Sequence, residues 1–245
     1  MEILLAIDDH SLPLRRNLTY YMTKPTVRQE PVLTPSTEDQ DAPDHMVANF
    51  YGTVLYDEGK YRMWYYGKNE VRPRPDEISM ICYAESDDGI SWEKPNLRQK
   101  QFKGNWDNNA LNLPGKQTYT ASVIKDEEEP DPERRYKMVY NPQQESGPLA
   151  ERFGMAASTL ATATSLDGII WAVEPEWPID VFAENSSLYR HNGMYYVHGQ
   201  GLFHGGGEGG SGEGGGGDGG GGEARVGHGA SGRRAGRKVR RADTG

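Results

Sequence analysis

The feature that most constrains the fold of this chain is a seven-residue turn motif that occurs twice. Ser86-Asp-Asp-Gly-Ile-Ser-Trp92 and Ser165-Leu-Asp-Gly-Ile-Ile-Trp171 follow one pattern at an offset of 79 residues. Each motif follows a strand-like run, and a hairpin with β-branched and aromatic arms precedes each run. The repetition predicts that the chain contains at least two copies of one small antiparallel unit.

The units are predicted as hairpins followed by a third strand. The first has arms at 52–56 and 61–66, a turn at Gly59 and a third strand at 79–84. The second has arms at 120–125 and 135–140 and a third strand at 153–164. A third copy begins at 187–190 and returns at 194–198 through Asn192-Gly193, a dipeptide that favours a tight type I′ turn.

A repeat of three or four strands every 50 to 80 residues, roughly, is typical of the blades of a β-propeller. We therefore predict an all-β propeller of which this chain holds about two and a half blades. A β-sandwich of hairpins is the alternative, but the turn at equivalent places favours radial repetition. Fewer than four blades do not close into a ring, so we expect this chain to be inactive or poorly folded.

The last part of the chain differs in composition from the rest. Positions 205–245 hold 19 of the 31 glycines and no Trp, Tyr or Phe, so this segment cannot build a core. We predict an extended segment at 1–45, a partial propeller at 46–204 and a disordered Gly/Arg-rich tail at 205–245. Our hypothesis for the residues after about 208 is out-of-frame translation of a GC-rich gene, and a flexible Gly-rich linker is the alternative.

Composition also excludes several classes of protein. The net charge of −9 argues against a nucleic-acid partner, and no apolar stretch approaches the roughly 20 residues that span a bilayer. The N-terminus lacks the pattern of a signal peptide, which leaves a cytoplasmic location as the default. The single cysteine, Cys82, is predicted to be a buried structural thiol, and neither a metal nor another cofactor is expected.

The two turn motifs are predicted to be structural. Ser86, Asp88, Ser165 and Asp167 are placed to accept backbone N–H bonds across each turn, and the glycine of each motif supplies a positive φ. The motifs resemble the Asp-box of sialidase propellers, where the role is structural. The acidic run at 126–131 is likewise predicted to be a solvated hairpin loop.

A resemblance to a known family rests on four segments. They are Ile7–Arg15, the hairpin GTVLYDEGKYRMWYYG, the turn SDDGISWEKP and the stretch ENSSLYRHNGMYYVHGQG. Over roughly residues 3–208 the chain resembles bacterial proteins described as glycosyl hydrolase family 32 N-terminal, of the five-bladed propeller type (families 32, 43 and relatives). The resemblance implies five four-stranded blades and a carbohydrate site in the axial funnel.

The resemblance also implies site residues. Glu184 precedes the third hairpin, where the family has its general acid, although Ser186 stands near the position where the family often has Pro. Glycoside cleavage needs a second carboxylate, and Asp44 is the first candidate, with His45 and Asn49 as neighbours that bind hydroxyls. The Trp-x-Asn-Asp-Pro motif of the fructosidases is absent from this sequence.

A second group of candidates lies in a polar loop at 105–109. The first strand of the second unit carries no acid where relatives usually have one, and Asp107 is the nearest substitute. Trp106 is a candidate for stacking on a pyranose face, and Asn108 and Asn109 for bonding sugar hydroxyls. An ordinary Asx-rich loop is the alternative. His198 is a further candidate for lining the funnel.

These observations favour a carbohydrate-active propeller, with a glycoside hydrolase as the leading prediction for the intact protein. A non-catalytic carbohydrate-binding propeller is the first alternative. A glycoside phosphorylase is the second, for which Arg134-Arg135 is the only candidate basic pocket. The expected partner is a carbohydrate, with no nucleic acid and no membrane, and the oligomeric state is left open.

Overall fold

The computed structural model describes residues 16–17, 23–69, 79–115, 117–143, 160–173 and 183–201. The chain divides into two compact units, Met1–Pro31 and Val32–Gly245. The described residues of the first unit have no regular secondary structure and are exposed. In the part of the chain that the structure describes, no helix has the length and apolar character needed to cross a membrane.

The first sheet of the second unit contains three antiparallel strands, β1 (Val47–Asp57), β2 (Lys60–Lys68) and β3 (Ser79–Ser86). Glu58 and Gly59 join β1 to β2 with φ of 52° and 83°, the positive values that a type I′ turn requires. Residues 109–111 run beside β3, because the N–H of Tyr83 donates to the carbonyl of Asn109 at 2.9 Å. The predicted hairpin and third strand are confirmed.

The second sheet contains four strands in chain order, β4 (Gln117–Lys125), β5 (Tyr136–Gln143), β6 (Ala161–Ser165) and β7 (Ala172–Val173). A single 3-10 turn, Pro132–Arg134, lies between β4 and β5. The third sheet is the hairpin of β8 (Ala183–His191) and β9 (Met194–Gly201). Its turn, Asn192-Gly193, has φ of 49° and 75°, as predicted. The described residues are therefore all-β. The predicted strand residues 153–159 lie outside them.

The three sheets pack face to face in chain order. Trp64 of β2 is fully buried between the first and second sheets, in a core with members from both. The partners of Trp64 in that core include Ile81, Tyr83, Val123, Met138 and Tyr140. Val139 and Leu160 of the second sheet pack against Leu188 and Val197 of the third. The burial of large apolar groups between sheets is the main stabilising contribution to this arrangement.

The outer face of the first sheet is covered by irregular chain. Cys82 belongs to a second core, where Phe102 and Ala110 from the loop after β3 and Leu33 from the segment before β1 cover the sheet. The thiol of Cys82 is fully buried, as predicted, and burial raises its pKa well above the ordinary value. This face of the first sheet is closed by its own chain.

A repeated polar contact joins each sheet to the next at the hairpin-turn end. Asp57, the last residue of β1, accepts hydrogen bonds from Lys125 at 2.6 Å and from the hydroxyl of Tyr136. Burial tends to raise the pKa of Asp57, but these two hydrogen bonds outweigh it and hold the pKa below the ordinary value. The side chains that meet here come from consecutive sheets.

The next sheet repeats this contact with its own residues. Asp126 accepts a hydrogen bond from the hydroxyl of Tyr195 and lies 3.4 Å from Nε of Arg190. The expectation of a solvated acidic loop is wrong for Asp126, which is 6% exposed. Asp126 is buried because it faces the third sheet.

Candidate functional site

The first strand of each sheet carries a β-bulge at the same place. The strands β1, β4 and β8 pack side by side, with β4 in the middle. In each strand the regular ladder resumes four residues before the strand ends, at Thr53, Ala121 and Ser187. Bulges bend a strand and redirect its side chains, and they are common beside active sites. We call the strand ends before the bulges the mouth.

The bulge of β1 exposes two aromatic side chains at the mouth. Phe50 is 62% exposed and Tyr51 is 49% exposed. The next residue is Gly52, whose added Cβ would lie 1.8 Å from the carbonyl oxygen of Trp64. No side chain fits there, so glycine is required for this close approach of β1 to β2. Sites for small molecules are lined mainly by apolar and aromatic side chains, with a few placed polar groups.

The second sheet meets the first at the mouth through aromatic and hydroxyl groups. The rings of Tyr66 and Tyr119 stack with their centroids 6.0 Å apart and an interplanar angle of 26°. The hydroxyl of Thr53 donates to the carbonyl of Ala121 at 3.1 Å and accepts from the N–H of Val123 at 3.0 Å. These contacts hold β1 and β4 together below the mouth.

Two glutamines complete the described part of the mouth. Gln117 and Gln143 are register partners at the open end of the β4–β5 ladder. The buried hydroxyl of Ser79 donates to Oε1 of Gln117 at 2.9 Å. The hydroxyl of Tyr119 lies 3.0 Å from the same oxygen and 3.2 Å from Oε1 of Gln143. The second sheet therefore presents two amide side chains at the mouth.

Glu184 lies on β8 in this region. Its backbone is the register partner of Gln200, two residues before the bulge residue Ser186. Because β8 packs beside β4, the structure brings the backbone of Glu184 to the same end of these first strands as Gln117. Its role as a general acid stays a prediction.

Asp44 has a different environment from the one that a reacting carboxylate needs. Its side chain is 1% exposed, and Oδ2 accepts from Nζ of Lys94 at 2.5 Å and from the hydroxyl of Tyr65 at 2.7 Å. Lys94 also donates to the carbonyl of Thr34 at 2.7 Å and to the hydroxyl of Ser36 at 2.9 Å. Burial raises the pKa of Tyr65 well above its usual range. These contacts fasten the segment before β1 to the first sheet, and the Asp44 carboxylate is not open to a ligand.

The two neighbours of Asp44 differ in position. Nδ1 of His45 lies 3.2 Å from the carbonyl of Ser36, within the same segment before β1. Asn49 is exposed on β1 just before the bulge, as the register partner of Tyr66. Of these two predicted hydroxyl-binding residues, Asn49 is the one that lies at the mouth.

The loop at 105–109 lies beyond β3, at the outer edge of the first sheet. Asp107 pairs with Nε of Arg98 at 2.7 Å, and both side chains are at least half exposed. Trp106 is 49% exposed. Backbone hydrogen bonds pair Asn109 with Tyr83 and Leu111 with Ile81, so residues 105–107 lie toward the Ser86 end of β3, the end opposite the mouth. The structure therefore does not bring Asp107 or Trp106 to the mouth.

The side chains of the two asparagines in that loop are buried and form hydrogen bonds within the protein. Asn108 and Asn109 are 6% and 4% exposed. Nδ2 of Asn108 donates to the carbonyl of Lys100 at 2.9 Å, and Nδ2 of Asn109 donates to the hydroxyl of Tyr65 at 2.8 Å. Both amides hold the loop against the first sheet, and neither is open to a ligand.

His198 lies on β9, in an aromatic group on the third sheet. Its Nε2 is 3.2 Å from the hydroxyl of Tyr189, whose ring stacks on Tyr196 with an interplanar angle of 9°. His198 is the register partner of Ser187, the residue at which the regular ladder resumes after the bulge. Its predicted contact with a ligand stays a prediction.

The two repeated turns have the hydrogen bonds that the sequence predicts. The hydroxyls of Ser86 and Ser165 each accept from the glycine N–H of their own turn at 2.9 Å. Oδ1 of Asp88 and of Asp167 accepts the next two backbone N–H groups of its turn. The glycines have φ of 73° and 74°. Turn formation accounts for these side chains.

Arg134 and Arg135 lie in the connection between β4 and β5, at the opposite end of these strands from the bulges. Among the described residues, no group of three or more His, Cys, Asp or Glu is placed to hold a metal ion.

Sequence reasoning missed the aromatic and amide groups of the mouth. Phe50, Tyr51, Gln117 and Gln143 have no motif around them. The bulge in β1 is the feature that locates them. Gly52 indicates this bulge in the sequence, since a glycine inside a strand pattern suggests a bulge or a close backbone approach.

Comparison with known proteins gives similarity to solved structures only. No family model matches the sequence, and no curated protein matches it. A glycosyl hydrolase from Bacteroides ovatus is 14% identical with a TM-score of 0.45, over 69% of this chain and 50% of that one. A sucrose-6-phosphate hydrolase from Lactobacillus gasseri is 18% identical with a TM-score of 0.42, over 67% and 30%.

A third similar structure is a member of the GH130 family of mannoside phosphorylases. This family contains glycoside hydrolases that target β-1,2-mannosidic linkages in Candida mannan. The third structure is 14% identical with a TM-score of 0.48, over 76% of this chain and 55% of that one. The chain spans from 30% to 55% of the length of these three proteins.

Proposed function

We propose that this chain is the first part of a five-bladed β-propeller, about two and a half blades long, that acts on carbohydrate at the mouth. The division into 1–45, 46–204 and 205–245 belongs to this proposal. Three sheets that stack in order, with their first strands side by side, support radial repetition. The contacts of Asp57 and Asp126 with the following sheet support the same geometry.

The observation that carries the carbohydrate assignment is the composition of the mouth. Aromatic faces at Phe50 and Tyr51 and polar amides at Asn49, Gln117 and Gln143 lie at one end of the inner strands. A sugar ring presents apolar C–H faces and polar hydroxyls, so a ligand of this class uses both kinds of group. Sites for small molecules combine apolar walls with a few placed polar groups.

In the intact site we propose that a glycosidic bond is hydrolysed. Glu184 would act as the general acid, donating its proton to the leaving-group oxygen as the bond to the anomeric carbon breaks. Water supplies the new hydroxyl, and a second carboxylate removes its proton or forms the glycosyl intermediate. No redox or nucleotide cofactor takes part in this proposal.

The test is hydrolysis of an oligosaccharide panel by the full chain and by Glu184→Gln. Loss of the acid should lower kcat by about 10²- to 10⁴-fold while binding of the sugar is retained. Glu133→Gln is the matched control, because Glu133 is exposed on the 3-10 turn between β4 and β5. Equal activity of wild type and Glu184→Gln, with both rates above that of the buffer, would exclude Glu184 as the acid. No product from either protein would agree with the expectation that the open ring is inactive.

A non-catalytic carbohydrate-binding propeller is the second candidate, and the burial of Asp44 favours it. Asp44 is paired with Lys94 inside the first sheet, and Asp107 lies beyond β3, so neither supplies a second carboxylate to the mouth. In that case the chain binds sugars in the panel and releases no product. Binding without hydrolysis would therefore select this candidate over the hydrolase.

A further inference from the structure

The amides of Gln117 and Gln143 have a fixed orientation at the mouth. Both side chains are half buried, and the two residues are directly opposite each other on β4 and β5. The Oε1 atom of Gln117 accepts from Ser79, a fully buried hydroxyl, and both Oε1 atoms lie within 3.2 Å of the hydroxyl of Tyr119. A tyrosine hydroxyl has one proton to donate, and Ser79 already donates to Oε1 of Gln117, so the Tyr119 proton can be donated to Oε1 of Gln143 at 3.2 Å. Each amide then has its oxygen toward the protein interior.

This orientation determines what the amides offer to a ligand. A glutamine amide has an acceptor oxygen on one side and an –NH₂ group with two donors on the other. Because the oxygens are bound inside the protein, the nitrogens are directed away from the hydroxyls of Ser79 and Tyr119. Among the described residues, neither Nε2 atom has a hydrogen-bond partner.

We infer that Gln117 and Gln143 form a donor pair that binds an acceptor oxygen of a neutral sugar, a hydroxyl or carbonyl oxygen, beside the Tyr66–Tyr119 stack. This inference rests on the proposed carbohydrate function. A carboxylate at the same place accepts a hydrogen bond from a sugar hydroxyl, whereas an –NH₂ group donates a hydrogen bond to a lone pair of the sugar oxygen. The two –NH₂ groups of the second sheet therefore favour sugars that present an acceptor oxygen at this position.

The first experiment exchanges donors for acceptors with little change of shape. In Gln117→Glu and Gln143→Glu, the carboxylate keeps an oxygen for Ser79 and Tyr119 and removes both outward donors. Binding of methyl α-mannopyranoside and methyl α-glucopyranoside to the full chain is measured by ligand-observed NMR titration. Each variant should bind the preferred glycoside about tenfold more weakly than wild type.

Gln101→Glu is the matched control. Gln101 is exposed on the loop after β3, where its amide donates to the carbonyl of Gly104 at 3.2 Å. This variant should bind the glycoside as wild type does. Wild-type affinity in both mouth variants would overturn the inference and leave the proposed function standing. If wild type binds none of the sugars, the proposed function and this inference fail together.

A second experiment keeps the protein unchanged and alters the ligand, so it is independent of whether the variants fold. Monodeoxy and mono-O-methyl derivatives of the same glycoside are titrated with the wild-type chain. At one ring position the deoxy sugar should bind about tenfold more weakly and the methyl ether within about threefold, because the ether retains the acceptor oxygen. If every methyl ether loses as much affinity as its deoxy counterpart, the amides are not acting as donors.

Discussion

The turn at 86–92 and the turn at 165–171 have the same internal hydrogen bonds and different surroundings. In the first turn, the indole of Trp92 donates to the carbonyl of Gly89 at 3.1 Å, and Asp87 of the turn pairs with Lys60 of the same sheet. In the second, the carbonyl of Gly168 accepts from its own Trp171 at 3.1 Å and also from Trp64 of the first sheet at 2.7 Å.

A second cross-sheet bond strengthens the contrast. Nη1 of Arg62 donates to the carbonyl of Asp167 at 2.6 Å, so β2 of the first sheet binds two consecutive carbonyls of the second turn. Gly168 is buried, whereas Gly89 is half buried. The motif therefore specifies the conformation of the turn, and the neighbouring sheet determines whether the turn also stabilises the packing of two sheets.

The largest expected effect on stability comes from removing Trp64, which donates a hydrogen bond to the second turn. Trp64→Ala should lower the free energy of unfolding by about 3–5 kcal/mol, because it empties a fully buried site and removes the bond to Gly168. Chemical denaturation of the full chain measures the change. Trp92→Ala, at the half-buried tryptophan of the first turn, is the comparison and should cost less. An equal cost would show that the two turns are energetically alike.

The glycines of the two turns give a finer comparison. Both have positive φ, so alanine at either position should cost about 1–2 kcal/mol. At Gly168 the added Cβ would also lie 2.8 Å from the indole of Trp64, whereas at Gly89 the nearest atom is 3.5 Å away on Tyr61. Gly168→Ala should therefore cost a further 1–3 kcal/mol, roughly, from overpacking. Thermal denaturation of both variants tests the order, and a larger loss in Gly89→Ala would contradict it.

The smallest expected effect is a pH dependence in the first turn. Hydrogen bonds from the backbone N–H groups of Ser91 and Ile90 lower the pKa of Asp88 from its ordinary range to about 2. Because the pKa is lower in the folded state, the contribution to stability is present above the unfolded pKa and is lost as the pH falls toward 2. The unfolding midpoint of wild type should decrease over this window, and Asp88→Asn should decrease less. Parallel curves for the two proteins would contradict the assignment.

Local sequence patterns predicted the parts of the fold that depend on neighbours in the chain. Asn192-Gly193 forms the expected tight turn, since both residue types adopt a positive φ readily. Gly59 likewise supplies the positive φ of the first hairpin turn, while its neighbour Glu58 has a φ of 52°, which is uncommon for that residue type. Cys82 is buried because the apolar run around it forms the central part of β3. The extra bulge residues were not predicted, because a bulge depends on the pairing of two strands.

The candidate site was harder to predict because its residues depend on distant partners. Asp44 is the last carboxylate before the first hairpin, and nothing near it in sequence shows that Lys94, 50 positions later, pairs with it. Asp126 lies in an acidic run typical of solvated loops, and its burial follows from contact with Tyr195. In both cases the partner, and therefore the role, comes from another part of the fold.

The sequence by itself determined the all-β class, the hairpins and the form of the two repeated turns. These properties follow from side-chain periodicity and from backbone conformations that single residues prefer, so they are encoded locally. Three properties depend on the tertiary structure. Trp64 binds the second turn, and the Asp44 carboxylate is buried against Lys94. Phe50, Tyr51 and the two glutamines lie together at the mouth. Those outcomes depend on burial and on pairing between strands far apart in the chain, which the order of residues does not display.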